Sequence, residues 1–265
     1  MGGSFLDQQA SIGISVHLGG HPATRRLLAL CHAAEAHDVL DVGCGIGVGP
    51  SEIARAYGCR VIGVDVSPLM IAWARRRAHD EGVEDRVRFV VADVLALPFD
   101  DDRFDVVLAE SVLAFIGDKE RSIAELVRVT RPGGYVGLNE GFLLTATPSL
   151  RVAGLARRIG SAMVTLDDWR ALWDGSGLTE RVVRTYRIDP RQEIRHRFRW
   201  VGLRRLLAGS LSAVRLYLTE ASARPVLDAM LVALRAGPED APGTPPPWAS
   251  FGYGLFVGRK PAGPP

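Results

Sequence analysis

Three cysteines, Cys31, Cys44 and Cys59, are all that this 265-residue chain contains. Their number is odd and no two form a C-x-x-C pair, so neither a disulfide framework nor a zinc knuckle is supported, and all three read as reduced thiols. Long apolar runs are missing too. The best candidate, Leu206 to Val214, has half the ~18 residues of a spanning helix. No basic residue precedes Arg25, which denies the N-terminus the charged start of a secretory signal, and Met1-Gly2-Gly3-Ser4-Phe5-Leu6 lacks the Ser or Thr of a myristoylation site. A cytoplasmic address is expected. Lysine is scarce as well: only Lys119 and Lys260 occur among 32 basic residues, which reads as a general preference for arginine.

What is present suffices for a folded protein. At ~150 residues per domain the length fits one large domain or two small ones, and 47% hydrophobic with 23% charged residues is a globular composition. The net charge of +2 conceals an asymmetry. Residues 1–150 carry 14 Lys+Arg against 20 Asp+Glu, a balance of −6, whereas residues 151–235 carry 16 Arg against 8 acids, a balance of +8.

From residue 38 to 140, short β-branched runs alternate with helical patterns, the mark of βαβ units and a parallel sheet. Strands are predicted at Asp38–Val42, Arg60–Asp65, Val87–Val91, Phe104–Ala109 and Tyr135–Asn139, and helices at Pro50–Tyr57, Pro68–Asp80 and Lys119–Thr130, the last ended by Arg131-Pro132-Gly133-Gly134. An amphipathic helix is expected at Thr24–His37, after a lead, Ser15 to Gly20, too glycine-rich for regular structure. A helix at Leu166–Asp174 and strands at Arg181–Ile188 and Phe251–Val257 complete seven strands. Between the last two, residues 191–235 show helical spacing and Ala236–Pro247 is proline-rich.

Asp41-Val42-Gly43-Cys44-Gly45-Ile46-Gly47 falls where a strand ends and a helix begins, the place at which open parallel sheets bind ligands. Its glycines allow close approach to the backbone. Three registers of the dinucleotide fingerprint would need Gly or Ala at Val48, Pro50 or Glu52, and all fail; no lysine lies near to complete a Walker A loop. Asp65 ends the second strand, where a carboxylate can accept from both hydroxyls of a ribose, and Asp93 follows the third, where it could meet an exocyclic amine.

Five ordered segments, Val39–Gly47, Val61–Ser67, Val90–Phe99, Phe104–Val107 and Arg128–Gly134, resemble the motifs of the class I S-adenosylmethionine-dependent methyltransferases, and within them the small-molecule group that acts on quinones, sterols, phosphoethanolamine and secondary metabolites. The likeness spans roughly residues 13–145, with Thr130-Arg131 in place of the usual Leu-Lys. It implies an α/β fold with a Rossmann-like, doubly wound seven-stranded sheet, and S-adenosylmethionine as cofactor with S-adenosylhomocysteine as product. On this resemblance Asp41, Gly43, Gly45 and Gly47 line the methionine part of the cofactor, Asp65 holds the ribose, Asp93 and Val94 meet adenine, Glu110 and Ser111 lie beneath the sulfonium, and Val66 is a further cofactor-binding residue. His17, Leu18 and Gly19 belong to a segment resembling one that closes over the cofactor in phosphoethanolamine and sterol relatives.

Methyl displacement needs alignment and exclusion of water more than covalent help. A base is needed for some acceptors only, and His17, His21, Glu140 and His196 are the candidates, each with a blander capping, packing or solvent role open to it. A metal pair at His17 and His21 is not expected, because Gly19-Gly20 and Pro22 oppose the helix that their spacing would need. Nucleic acid is not an expected partner, since Ala109-Glu110-Ser111-Val112 lacks the Pro-Pro tetrad of nucleobase methyltransferases. The expected division is a lid segment and helix at 1–37, a methyltransferase domain at 38–190 plus 248–260, and a helical insertion at 191–247. With Arg191, Arg195, Arg197, Arg199, Arg204 and Arg205 beside Ile194, Phe198 and Trp200, that insertion could cover a lipophilic, anionic small-molecule acceptor, rest peripherally on a membrane, or simply face water or another subunit. A cofactor-binding scaffold, or another S-adenosylmethionine-using transferase or cyclase, is the alternative function.

Overall fold

The computed structural model describes residues 17–188 and 247–262. The expected lid residues before His17 and nearly all of the insertion, His196 and its arginines included, lie outside them. In chain order the elements are α1 (Gly20–Leu30), β1 (Asp38–Val42), α2 (Val48–Tyr57), β2 (Arg60–Asp65), α3 (Pro68–Asp80), β3 (Val87–Val91), β4 (Phe104–Glu110), α4 (Lys119–Val129), β5 (Thr130–Leu143), α5 (Leu150–Ile159), α6 (Leu166–Asp174), β6 (Thr179–Arg187) and β7 (Phe251–Arg259).

The strands form one seven-stranded sheet in the order β3-β2-β1-β4-β5-β7-β6, parallel from β3 through β5, with β7 antiparallel to both neighbours. Parallel strands covered on both faces must be apolar throughout, and every residue of β4 is buried. One core holds Leu27 of α1, Ile53 of α2 and Ile71 of α3, and the other holds Ile123 and Leu126 of α4 with Trp169 and Trp173 of α6. Three layers result, helix over sheet over helix.

Local chemistry explains the element ends. Ser67 accepts from the Met70 amide with Pro68 in the first turn of α3, and Thr165 and Asp168 form a capping box on α6. Two expectations are corrected. The first helix starts at Gly20 rather than Thr24 and ends at Leu30; residues 17–19 of its lead are irregular, as expected, and closely packed, since a Cβ on Gly19 (φ 73°) would collide with Tyr253 Oη. The chain then turns at His32 (φ 52°) into a short 3-10 turn, Ala33–Glu35, instead of continuing as helix to His37. Helix α5 was not foreseen; Ser149 caps it by accepting from the Val152 amide.

Candidate active site

The sheet order reverses between β1 and β4, and the loops that leave the carboxyl ends of β1, β2, β3 and β4 meet there. After β1 the backbone turns through Gly43, Gly45 and Gly47, with φ of 72°, 52° and 76°. A Cβ on Gly43 would fall 2.1 Å from Val112 Cγ2, and one on Gly47 would meet Ala74 Cβ at 2.8 Å and Phe89 at 2.9 Å. Gly47 is therefore a packing requirement of α2 on α3 and β3, whereas Gly43 brings two loops together at the cavity.

The amides of Gly43 and Cys44 donate to the Val64 carbonyl at 2.7 and 2.9 Å, fastening the glycine turn to β2. Gly45 N donates to Asp65 Oδ2 at 3.0 Å and Ser67 N to Asp65 Oδ1 at 2.9 Å, so the carboxylate is gripped from both sides and still lines the cavity. Burial raises its pKa, against the pull of those two amides. Asp93 Oδ1 accepts from Leu95 N at 2.9 Å, which fixes the turn after β3.

At the end of β4 the buried Glu110 gathers the N-terminal segment. Its Oε2 accepts from Thr24 Oγ1 at 2.9 Å and Asn139 Nδ2 at 3.0 Å, and Oε1 lies 3.2 Å from His17 Nδ1. Asn139 Nδ2 also donates to the Leu18 carbonyl at 2.8 Å, and Leu18 N donates to Ser111 Oγ at 3.2 Å. Burial pulls the His17 pKa down, but the charge and hydrogen bond of Glu110, with Asp41 and Glu52 nearby, outweigh it and hold His17 above its ordinary value. Burial would raise Glu110; His17, Asn139 and Thr24 more than offset it and keep the carboxylate below its ordinary value. Burial pushes Asp41 up to about 7, with His17 pulling the other way.

One cavity of about 480 Å³ runs along these strand ends. Of the residues expected at a cofactor, His17, Leu18, Gly43, Gly45, Asp65, Val66, Asp93, Val94, Glu110 and Ser111 line it, and Gly19, Asp41 and Gly47 do not. Two of the candidate bases do not line it. His21 Nδ1 pairs with Glu52 Oε2 at 2.9 Å, and Glu140, fully buried in β5, accepts from the amides of Val112, Leu113 and Ala114 at 2.8, 2.8 and 3.1 Å. Burial pushes Glu140 up to about 7 against those amides and Lys119. Beyond the motif residues the wall becomes apolar, with Val112, Phe115, Ile116, Met163, Ile188 and Phe251. Asn139 was missed; the signal was two adjacent polar residues, Asn139-Glu140, inside the otherwise apolar run Tyr135–Leu143.

Residues 40–138 match the family described as Methyltransferase domain. That stretch, which holds the glycine turn, Asp65, Asp93 and Glu110, is similar to a methyltransferase domain. The chain is 39% identical over 119 residues to Methyltransferase GfsG of Streptomyces halstedii, covering 45% of this chain and 43% of that one. It is 34% identical over 159 residues to 27-O-demethylrifamycin SV methyltransferase of Amycolatopsis mediterranei, covering 58% of each. The chain thus spans about half the length of the curated relatives it matches. Among solved structures, the [4+2]-cyclase SpnF shares this fold with a TM-score of 0.72 at 19% identity, over 97% of this chain and 92% of that one.

Proposed function

We propose that this chain transfers a methyl group from S-adenosylmethionine to a lipophilic small molecule. The observation that carries the reading is one cavity in which the glycine turn and three carboxylates, Asp65, Asp93 and Glu110, run directly into an apolar wall. The polar end suits the cofactor. Gly43 and Gly45 present bare backbone there, and each oxygen of Asp65 spends one lone pair on an amide, which leaves capacity for the two hydroxyls of a ribose. Asp93 and Val94 would meet the adenine. Three carboxylates, Asp65, Asp93 and Glu110, against one histidine, His17, give the described wall of this end a net negative charge suited to a cationic sulfur.

When bound, the cofactor supplies an electrophilic methyl group on that sulfur. The chain's own part is to hold the acceptor in line and keep water out, which apolar side chains at the far end do. Among the described residues His17 is the candidate base on the wall, and its pairing with Glu110 favours acceptors that react without strong base, such as free amines or acidic phenols and thiols. The described wall includes no lysine or arginine. An anionic substituent on the acceptor would therefore need the arginines of 191–205.

The test is incubation with S-adenosylmethionine and a panel of lipophilic amines, phenols and thiols, together with any ligand carried through purification, while S-adenosylhomocysteine release is followed by mass spectrometry. Release that depends on the acceptor is expected. Cofactor binding with no such release for any acceptor contradicts methyl transfer and favours a scaffold, or a cyclisation of the kind named for SpnF.

A further inference from the structure

We propose that Glu140 and Lys119 are positioning residues that clamp the apolar wall of the cavity and so set which acceptors fit. The proposal rests on the methyl-transfer reading for what binds there, while the clamp is read from contacts. On leaving β4 the chain turns sharply at Ser111 (φ 61°) and enters a 3-10 turn, Leu113–Phe115, for which Val112 supplies no side-chain cap. The three amides that open this turn all donate to the one carboxylate of Glu140. A fully buried carboxylate in an apolar strand is costly unless charge-assisted hydrogen bonds replace its water, and these three do so.

The turn is fastened on its other side as well. The Ala114 carbonyl accepts from Ala162 N at 2.6 Å and Ser161 Oγ at 3.4 Å. Lys119, buried at the start of α4, spans the gap by donating to the Ile116 carbonyl at 2.8 Å and the Ala162 carbonyl at 2.7 Å. Turn 111–116 and segment 161–163 are thereby bound into one unit, from which Val112, Ala114, Phe115, Ile116, Ser161 and Met163 face the cavity. Neither Glu140 nor Lys119 lines it, so neither touches the substrate, and neither contacts Asp65 or Asp93 at the opposite end.

Packing alone would tolerate the isosteric Glu140→Gln. A clamp would not, because glutamine offers one acceptor oxygen and sets its amide group, a donor, against a backbone donor. Two affinities are measured for wild type, Glu140→Gln and Lys119→Met: S-adenosylhomocysteine by calorimetry, and the neutral lipophilic fluorophore N-phenyl-1-naphthylamine by fluorescence, with and without S-adenosylhomocysteine. The fluorophore is expected to bind wild type and to bind either variant more weakly, by up to roughly tenfold, since the clamp can pass to the wall at most the energy of the charge-assisted hydrogen bond that is lost. S-adenosylhomocysteine affinity should stay within about twofold, since the two ends share no partner. Unchanged fluorophore affinity in a folded Glu140→Gln overturns the clamp, as does a parallel loss of both affinities or a wild type that does not bind the fluorophore. Lys119→Met carries the same test if Glu140→Gln does not fold. A wild type that fails to bind S-adenosylhomocysteine sinks the methyl-transfer reading instead, and leaves the clamp to be decided by the fluorophore alone.

Discussion

At the polar end of the cavity the wall is built around the glycine turn and the carboxylates of Asp65, Asp93 and Glu110, with Val66, Met70 and Val94 beside them, whereas at the apolar end it is side chains from 112–116, 163, 188 and 251. The first kind of wall is fixed by hydrogen bonds within neighbouring strand ends, as when Gly45 and Ser67 grip Asp65. The second is fixed from behind, by Glu140 and Lys119, which never reach the cavity. On the proposed reading, a cofactor site built in the first way can persist unchanged while the second is remodelled for a new acceptor. The two ends should therefore respond independently to substitution, except where they touch.

The largest separation is expected from Asp65→Ala. With Asp65 placed at the ribose as proposed, loss of its carboxylate should weaken S-adenosylhomocysteine binding by about 1.5–3 kcal/mol in calorimetry, while N-phenyl-1-naphthylamine affinity stays the same. A matched loss of both would break the comparison. Gly43→Ala strikes the contact between the ends, because its φ is 72° and the new Cβ would stand 2.1 Å from Val112 Cγ2. Destabilisation by about 1–3 kcal/mol is expected, read as a lower melting temperature with both affinities reduced.

A smaller effect concerns pH and again divides the ends. Asp41 and Glu140 are pushed up to about 7, and His17 is raised above 6.5. Each binds its proton more tightly folded than unfolded, so the stability each contributes is full at low pH and is lost as pH rises, for the two carboxyls between about 4 and about 7. Glu110, held below its ordinary value, acts in the opposite sense but only at pH near or below about 4.5. The melting temperature should fall from pH 5 to pH 8, and Asp41→Asn and Glu140→Gln should each flatten part of that slope. A melting temperature that rises over this range would contradict the burial of these groups.

The polar end was legible because its residues lie in contiguous motifs whose order along the chain matches the order of strands and loops, so that Gly43, Gly45, Asp65 and Asp93 could each be placed from sequence. The apolar end was not, since Val112, Met163, Ile188 and Phe251 meet only through the fold. Glu140 shows the limit most clearly. As a carboxylate near a strand end it resembled a base, and only the three amides around it reveal a buried anchor. The N-terminal lead was half legible: its glycines marked residues 17–19 as irregular backbone, but not that Gly19 is there to admit Tyr253. Asn139, which joins Glu110 to Leu18, carries no motif of its own.

The independence of the two ends is tested most directly by titrating S-adenosylhomocysteine calorimetrically into wild type, Asp65→Ala and Phe115→Ala. Wild type and Phe115→Ala should bind alike, and Asp65→Ala at least about tenfold more weakly. Equal binding by a folded Asp65→Ala, or a loss of binding in Phe115→Ala as large as that in Asp65→Ala, would contradict a cofactor end built and held separately from the acceptor end.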